Sequence, residues 1–137
     1  MTGAICGVML AHAMFDLELL QIGAKARTGP AQWIAEATAT FGLVVTILGV
    51  KAARPAAAPA AVALYIVAAY WFTASTSFAN PAVTAARALT DTFAGIRPAD
   101  APMFALVQCA GAALGAVAGH FLFPSGSSID RRDEGTA

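Results

Sequence analysis

Charge is what this sequence has least of. Eight Lys+Arg and eight Asp+Glu in 137 residues amount to 12%, about half of the roughly 25% in an ordinary soluble domain. So few charges, with a mean hydropathy of +0.68, exclude a disordered chain and a nucleic-acid wrapper. The formal net charge is zero, so neither an acidic nor a basic partner is indicated, nucleic acid included. Cysteine is scarce too. Cys6 and Cys109 both lie in apolar runs, which suits packing and excludes a disulfide scaffold or a cysteine metal pair. The two histidines, His12 and His120, fall near the ends of apolar runs and read as packing or interfacial residues. No nucleophile–base pair, phosphate loop or metal cluster is present, so an enzyme is not predicted and no cofactor is implied.

What is abundant is apolar: 58% of the residues. Runs fall at about Thr2–Phe15, Gln32–Val50, Ala58–Thr76 and Ala101–Phe123. The second and third, at 19 residues, make roughly 28 Å of helix and suit a hydrocarbon core. The fourth, at 23 residues, spans with some tilt. The first reaches only about 20 Å, and no positively charged stretch precedes it, so a signal peptide is not predicted. The polar residues sit between the runs: Asp16, Glu18, Lys25 and Arg27 before Thr28-Gly29-Pro30, and Lys51 and Arg54 before Pro55. Residues 125–137 form a polar tail expected to be disordered. Lys25, Arg27 and Arg97 on one side balance Lys51, Arg54, Arg131 and Arg132 on the other, so the positive-inside rule selects neither orientation. Trp33, Tyr65, Tyr70 and Trp71 read as membrane anchors or core aromatics.

One segment breaks the pattern of spans. Ser75 to Ala86 follows a full apolar run, yet no charge appears until Arg87. Asn80 is a good N-cap, and Pro81 a good first helical residue, because proline's missing N–H is already an orphan there. The spacing predicts a helix from Pro81 to about Ala94, ended by Gly95, with Arg87 and Asp91 paired across one turn or facing solvent. Fourteen residues make about 21 Å, too short to cross and return. The physical reading is a re-entrant half-helix. Irregular backbone at membrane depth is tolerated where it is buried in protein or lines a wet cavity. Carbonyls of residues 76–79 and the capped helix start would then face that cavity. The alternative on spacing alone is a surface loop followed by an ordinary amphipathic helix.

An internal similarity links the ends of the chain. At an offset of 108, glycine, alanine, glycine, histidine and phenylalanine coincide at 3/111, 4/112, 7/115, 12/120 and 15/123. If the last run closes a unit beginning near Pro30, the first run closes an earlier one, as in inverted-repeat transporters and channels. Gly3 and Gly7, and likewise Gly111, Gly115 and Gly119, suit close helix approach.

Asn80-Pro81-Ala82, after a full span and before a short helix, stands 44 residues beyond Glu36 in Trp33-Ile-Ala-Glu36-Ala-Thr-Ala-Thr-Phe41-Gly. In this context the chain resembles the aquaporin, or major intrinsic protein, family. Asn80-Pro81-Ala82-Val83-Thr84 and Thr90-Asp91-Thr92-Phe93-Ala94-Gly95 are similar to bacterial members associated with arsenic-detoxification operons. The resemblance implies an all-α membrane protein with an aquaporin-like second repeat: three transmembrane helices, a re-entrant half-helix and one extra partial N-terminal helix. Residues 1–16 are then the remnant of a first repeat's last helix, 17–29 a connecting loop and 30–124 the second repeat. About 100 residues of first repeat, two spans and a half-helix, would be missing.

The same resemblance implies the roles. Asn80, Pro81 and Ala82 form the pore motif, with Asn80 donating to a passing solute. Carbonyls of Ser77, Phe78 and Ala79 form an acceptor ladder, and Glu36 accepts hydrogen bonds that support the loop; an intramembrane carboxylate needs such a role. The family's usual filter arginine is replaced by Val83. With Ser77 and Ala68 at the other filter positions, this makes a wider, uncharged constriction. The partners implied are the lipid bilayer, a small neutral solute (water, glycerol-like polyols or arsenous acid) and copies of the chain itself, as a tetramer. The implied location is a bacterial inner membrane, crossed several times.

Overall fold

The computed structural model describes residues 1–124, so the expected disorder of residues 125–137 lies outside the described residues. Five α-helices follow in order: α1 Thr2–Met14, α2 Pro30–Ala53, α3 Ala58–Phe72, α4 Pro81–Arg87 and α5 Ala101–Leu122. Single 3-10 turns at Pro55–Ala57 and Pro98–Asp100 lead into α3 and α5. The prolines account for several starts. Pro30, Pro55, Pro81 and Pro98 each open an element, where no N–H is needed and φ is already set. Three segments are long and apolar enough to cross a membrane: Pro30–Ala53, Pro55–Phe72 and Pro98–Leu122. No strand occurs among the described residues. The chain is an all-α, multi-pass membrane protein.

The helix directions follow from the packing. An added Cβ at Gly111 would strike the backbone of Ala37, one at Gly115 that of Phe41, and one at Gly119 the side chain of Leu48. Contacts that advance together along both chains mean that α2 and α5 run parallel, at backbone-to-backbone distance. This is the close approach the glycine spacing predicts for α5. A short turn makes α3 antiparallel to α2, and the Tyr65 hydroxyl donates to the Ala39 carbonyl at 2.9 Å. If α2 runs inward, α3 runs outward and α5 inward. Residues 73–97 therefore enter and leave on the same side of the membrane. That is a re-entrant segment, and α4 is the helix inside it.

Several expectations need correction. The helix from Pro81 ends at Arg87 rather than near Ala94. The reason is that the carbonyls of Arg87 and Ala88 accept from Ile96 N and Gly23 N instead of continuing the helical ladder. Gly95 is not a helix cap: it passes so close to the Thr90 carbonyl that a Cβ there would overlap it. Arg87 and Asp91 are not paired, because Asp91 accepts from Ala24 N at 3.0 Å. The third apolar run leaves the helix at Phe72, before Thr76. Gly3 and Gly7 of α1 have open space where α5's glycines have α2.

Candidate functional site

The site grows from the non-helical stretch between α3 and α4. Thr76, Ser77 and Ala79 hold φ of 64°, 46° and 49°, a left-handed conformation that costs a residue with a Cβ about 1–2 kcal/mol. Something must offset that strain. Glu36, fully buried in α2, accepts from Phe78 N at 2.8 Å through Oε1 and from Ala79 N at 3.0 Å through Oε2. Charge-assisted bonds to backbone N–H groups are the strong kind. Gln108 of α5, also fully buried, donates from Nε2 to Glu36 Oε2 at 2.6 Å and to Thr84 Oγ1 at 2.8 Å. One carboxylate thus joins α2, α5, the loop and, through Gln108, α4.

The depth of the loop can be read from α2. Gln32, near the start of α2, donates to the Ala74 carbonyl, whereas Glu36, one turn further, holds Phe78 and Ala79. The loop therefore descends alongside α2, with Phe78 and Ala79 held about 6 Å deeper than Ala74 at 1.5 Å per residue. Asn80 caps α4 by accepting from Ala82 N at 2.8 Å through Oδ1, which leaves its amide N without a hydrogen bond among the described residues. No donor among them reaches the carbonyls of residues 76–79 either. Asn80 is exposed.

A second clamp was not read from the sequence. Arg27, taken there as a loop charge, is only 3% exposed. Its Nε donates to the Gly95 carbonyl at 2.7 Å, Nη1 to that of Ser75 at 2.7 Å and Nη2 to that of Phe93 at 2.9 Å. Its backbone N donates to Asp100 Oδ2 at 2.9 Å, while Asp100 pairs with Arg97 at 2.9 Å. The rigid fork of a guanidinium matches three carbonyls where an ammonium could not. Desolvation by burial, and then the charge of Arg87, lower its pKa from the ordinary value, while Glu36 acts the other way. Behind the clamps Phe78, Ile96 and Phe104 form the core cluster, with Trp33, Val83 and Ala88 against it.

The filter candidates are not all brought together. Val83 is partly buried and faces a cavity of about 670 Å³ between α1 and α4. Ser77 is 3% exposed, with its hydroxyl enclosed and unpartnered among the described residues. Ala68 is exposed on α3 and lines no part of the cavity that Val83 faces. His12 is buried and bonded to Thr90 Oγ1 at 2.7 Å and the Leu19 carbonyl at 3.0 Å, which ties α1 to the return from α4. Among the described residues no group of three or more His, Cys, Asp or Glu could hold a metal ion.

The parallel spans α2 and α5, with a strained, carboxylate-anchored loop and half-helix beside them, define a membrane protein with a re-entrant segment. Over 111 residues, 80% of its length, the chain is 60% identical to aquaglyceroporin AqpS of Rhizobium meliloti (strain 1021). It belongs to the aquaporin, or major intrinsic protein, family. The chain spans about half of that relative's length, 47%. No family model matches it, and no solved structure does.

Proposed function

We propose that this chain forms half the lining of a passive transmembrane channel for small uncharged solutes: water, glycerol-like polyols or arsenous acid. The observation that carries the reading is the segment 76–80, whose four carbonyls and Asn80 amide stand free of partners among the described residues while Glu36 holds the backbone around them. A neutral solute exchanges its water hydrogen bonds for these acceptors and donors. A cation could use the carbonyls but not the Asn80 amide donor, and the positive end of the half-helix opposes it. On this reading Asn80, Pro81 and Ala82 mark the narrow centre and Ser77, Phe78 and Ala79 the acceptor ladder. Val83, Ser77 and Ala68 carry no charge of their own and leave a wide filter. The name of the R. meliloti relative supports a polyol-sized solute. Residues 1–16 act as the closing helix of a preceding repeat, 17–29 as the connection and 30–124 as the repeat that carries the site. The setting is a bacterial inner membrane, with copies of the chain associated as in the family's tetramer.

A second reading rests on the exposure of Asn80 and the 47% coverage of the relative: the chain is a non-conducting remnant in the membrane. Light scattering from proteoliposomes under gradients of glycerol, arsenous acid or salt-free osmolyte separates the two. The channel reading predicts swelling or shrinkage faster than in protein-free vesicles for at least one solute. Rates equal to the lipid background for all of them refute it and leave the remnant.

A further inference from the structure

Along α4, Asn80, Val83 and Arg87 follow at i, i+3 and i+7 and share one face; Thr84, turned away, bonds to Gln108. Val83 and Arg87 line the same cavity, with Gly7, Ala11, His12 and Thr90 around them. The Arg87 side chain makes no hydrogen bond or ion pair among the described residues, and its Nη1 is buried without a partner. The carboxylates nearby are engaged elsewhere. Asp91 binds Ala24 N, Asp100 pairs with Arg97, and Glu36 serves the loop and Gln108. The Arg27 guanidinium lies over the Phe78 ring at 4.9 Å, and the Arg87 guanidinium lies over the same ring, whose centroid is 4.3 Å from Cζ.

That contact fixes the level of the charge. Helical side chains lean towards the N-terminus, and Phe78 precedes the helix. The guanidinium therefore reaches back about one turn, to the level of Val83. An unpaired cation in a low-dielectric wall destabilises the fold, and intramembrane charges characteristically face a watery path.

We propose that Arg87 is the specificity-determining residue of this path. From one turn beyond Val83 it supplies the positive charge of the constriction, repels cations and donates hydrogen bonds to the oxygens of neutral hydroxylated solutes. The inference rests on the channel reading, but its test does not require conduction.

Val83→Cys is placed in a Cys6→Ser, Cys109→Ser background and reconstituted. Its thiol is then reacted with anionic sulfonatoethyl or cationic trimethylammonioethyl methanethiosulfonate. With Arg87, or Arg87→Lys, the anionic reagent is favoured. With Arg87→Gln that preference falls by about tenfold, as expected for removing one nearby charge at intermediate dielectric. Arg87→Met gives the same reading with the apolar stem retained, should Arg87→Gln not fold. A merely structural arginine moves the thermal midpoint and leaves the reagent ratio alone. A ratio that changes less than about twofold, or a thiol at 83 that neither reagent reaches, overturns the proposal. Solute flux through vesicles of the unsubstituted chain is measured alongside: its absence refutes the channel reading, while the reagent ratio still decides the role of Arg87.

Discussion

Replacing Glu36 with glutamine tests whether one carboxylate holds the site. Glu36 accepts three hydrogen bonds, at 2.8, 3.0 and 2.6 Å, all buried. A glutamine offers one oxygen and turns an NH2 towards either the Phe78 N–H or both the Ala79 N–H and the Gln108 amide, so at least one buried donor loses its partner. That costs about 1–3 kcal/mol, and the bonds that survive lose their charge assistance. A total near 3 kcal/mol compares with about 3–6 kcal/mol of strain stored in Thr76, Ser77 and Ala79 at 1–2 kcal/mol each. The loop should therefore leave its native path. Trp33 packs beside Phe78 and reports on it, while Trp71, 82% exposed, can be changed to phenylalanine at little cost. Thermal unfolding in detergent, followed by Trp33 fluorescence, should show Glu36→Gln lowered by more than about 10 °C, at several degrees per kcal/mol for a domain of this size. Combining it with Gln108→Leu should cost less than the sum of the two, since they share one network. A shift below about 2 °C would refute the claim that Glu36 anchors the loop.

Arg27→Lys should cost about 2–4 kcal/mol, because one ammonium cannot replace three guanidinium bonds to carbonyls. Hydrogen exchange should then speed up at Ile96 and Arg97 and stay unchanged along Gly111–Gly119. Gly115→Leu places a Cβ 2.8 Å from the Phe41 carbonyl oxygen and 3.0 Å from Val44 Cβ, so α2 and α5 must part at a cost of about 3 kcal/mol or more. Gly3→Leu, which meets nothing within 4 Å, should leave the thermal midpoint in place.

The parts of the fold legible in the sequence are those set locally or by composition. The spanning helices come from long apolar runs, and the start of α4 from an Asn-Pro pair whose cap bond reaches only to Ala82 N. What was illegible depends on distant backbone. The end of α4 is decided by Gly23 N and Ile96 N reaching the carbonyls of Ala88 and Arg87; nothing in residues 81–94 announces that. Arg27 looks like a solvated charge between spans because its partners are carbonyls 48 to 68 residues away, which carry no side-chain signature. Asp91 is drawn from Arg87 by an amide 67 residues earlier. Lone basic residues beside Thr-Gly-Pro turns are poor evidence of solvation when a re-entrant loop nearby has carbonyls to satisfy.

The account turns on α4 lying inside the membrane and reaching water there. A nitroxide attached at Asn80→Cys, with Cys6 and Cys109 changed to serine, measures both properties by collision with oxygen and with a water-soluble nickel complex. The account predicts a depth well below the headgroups, in a core about 30 Å thick, together with strong collision with nickel. A label at the headgroup level would contradict it and indicate a surface loop with an amphipathic helix.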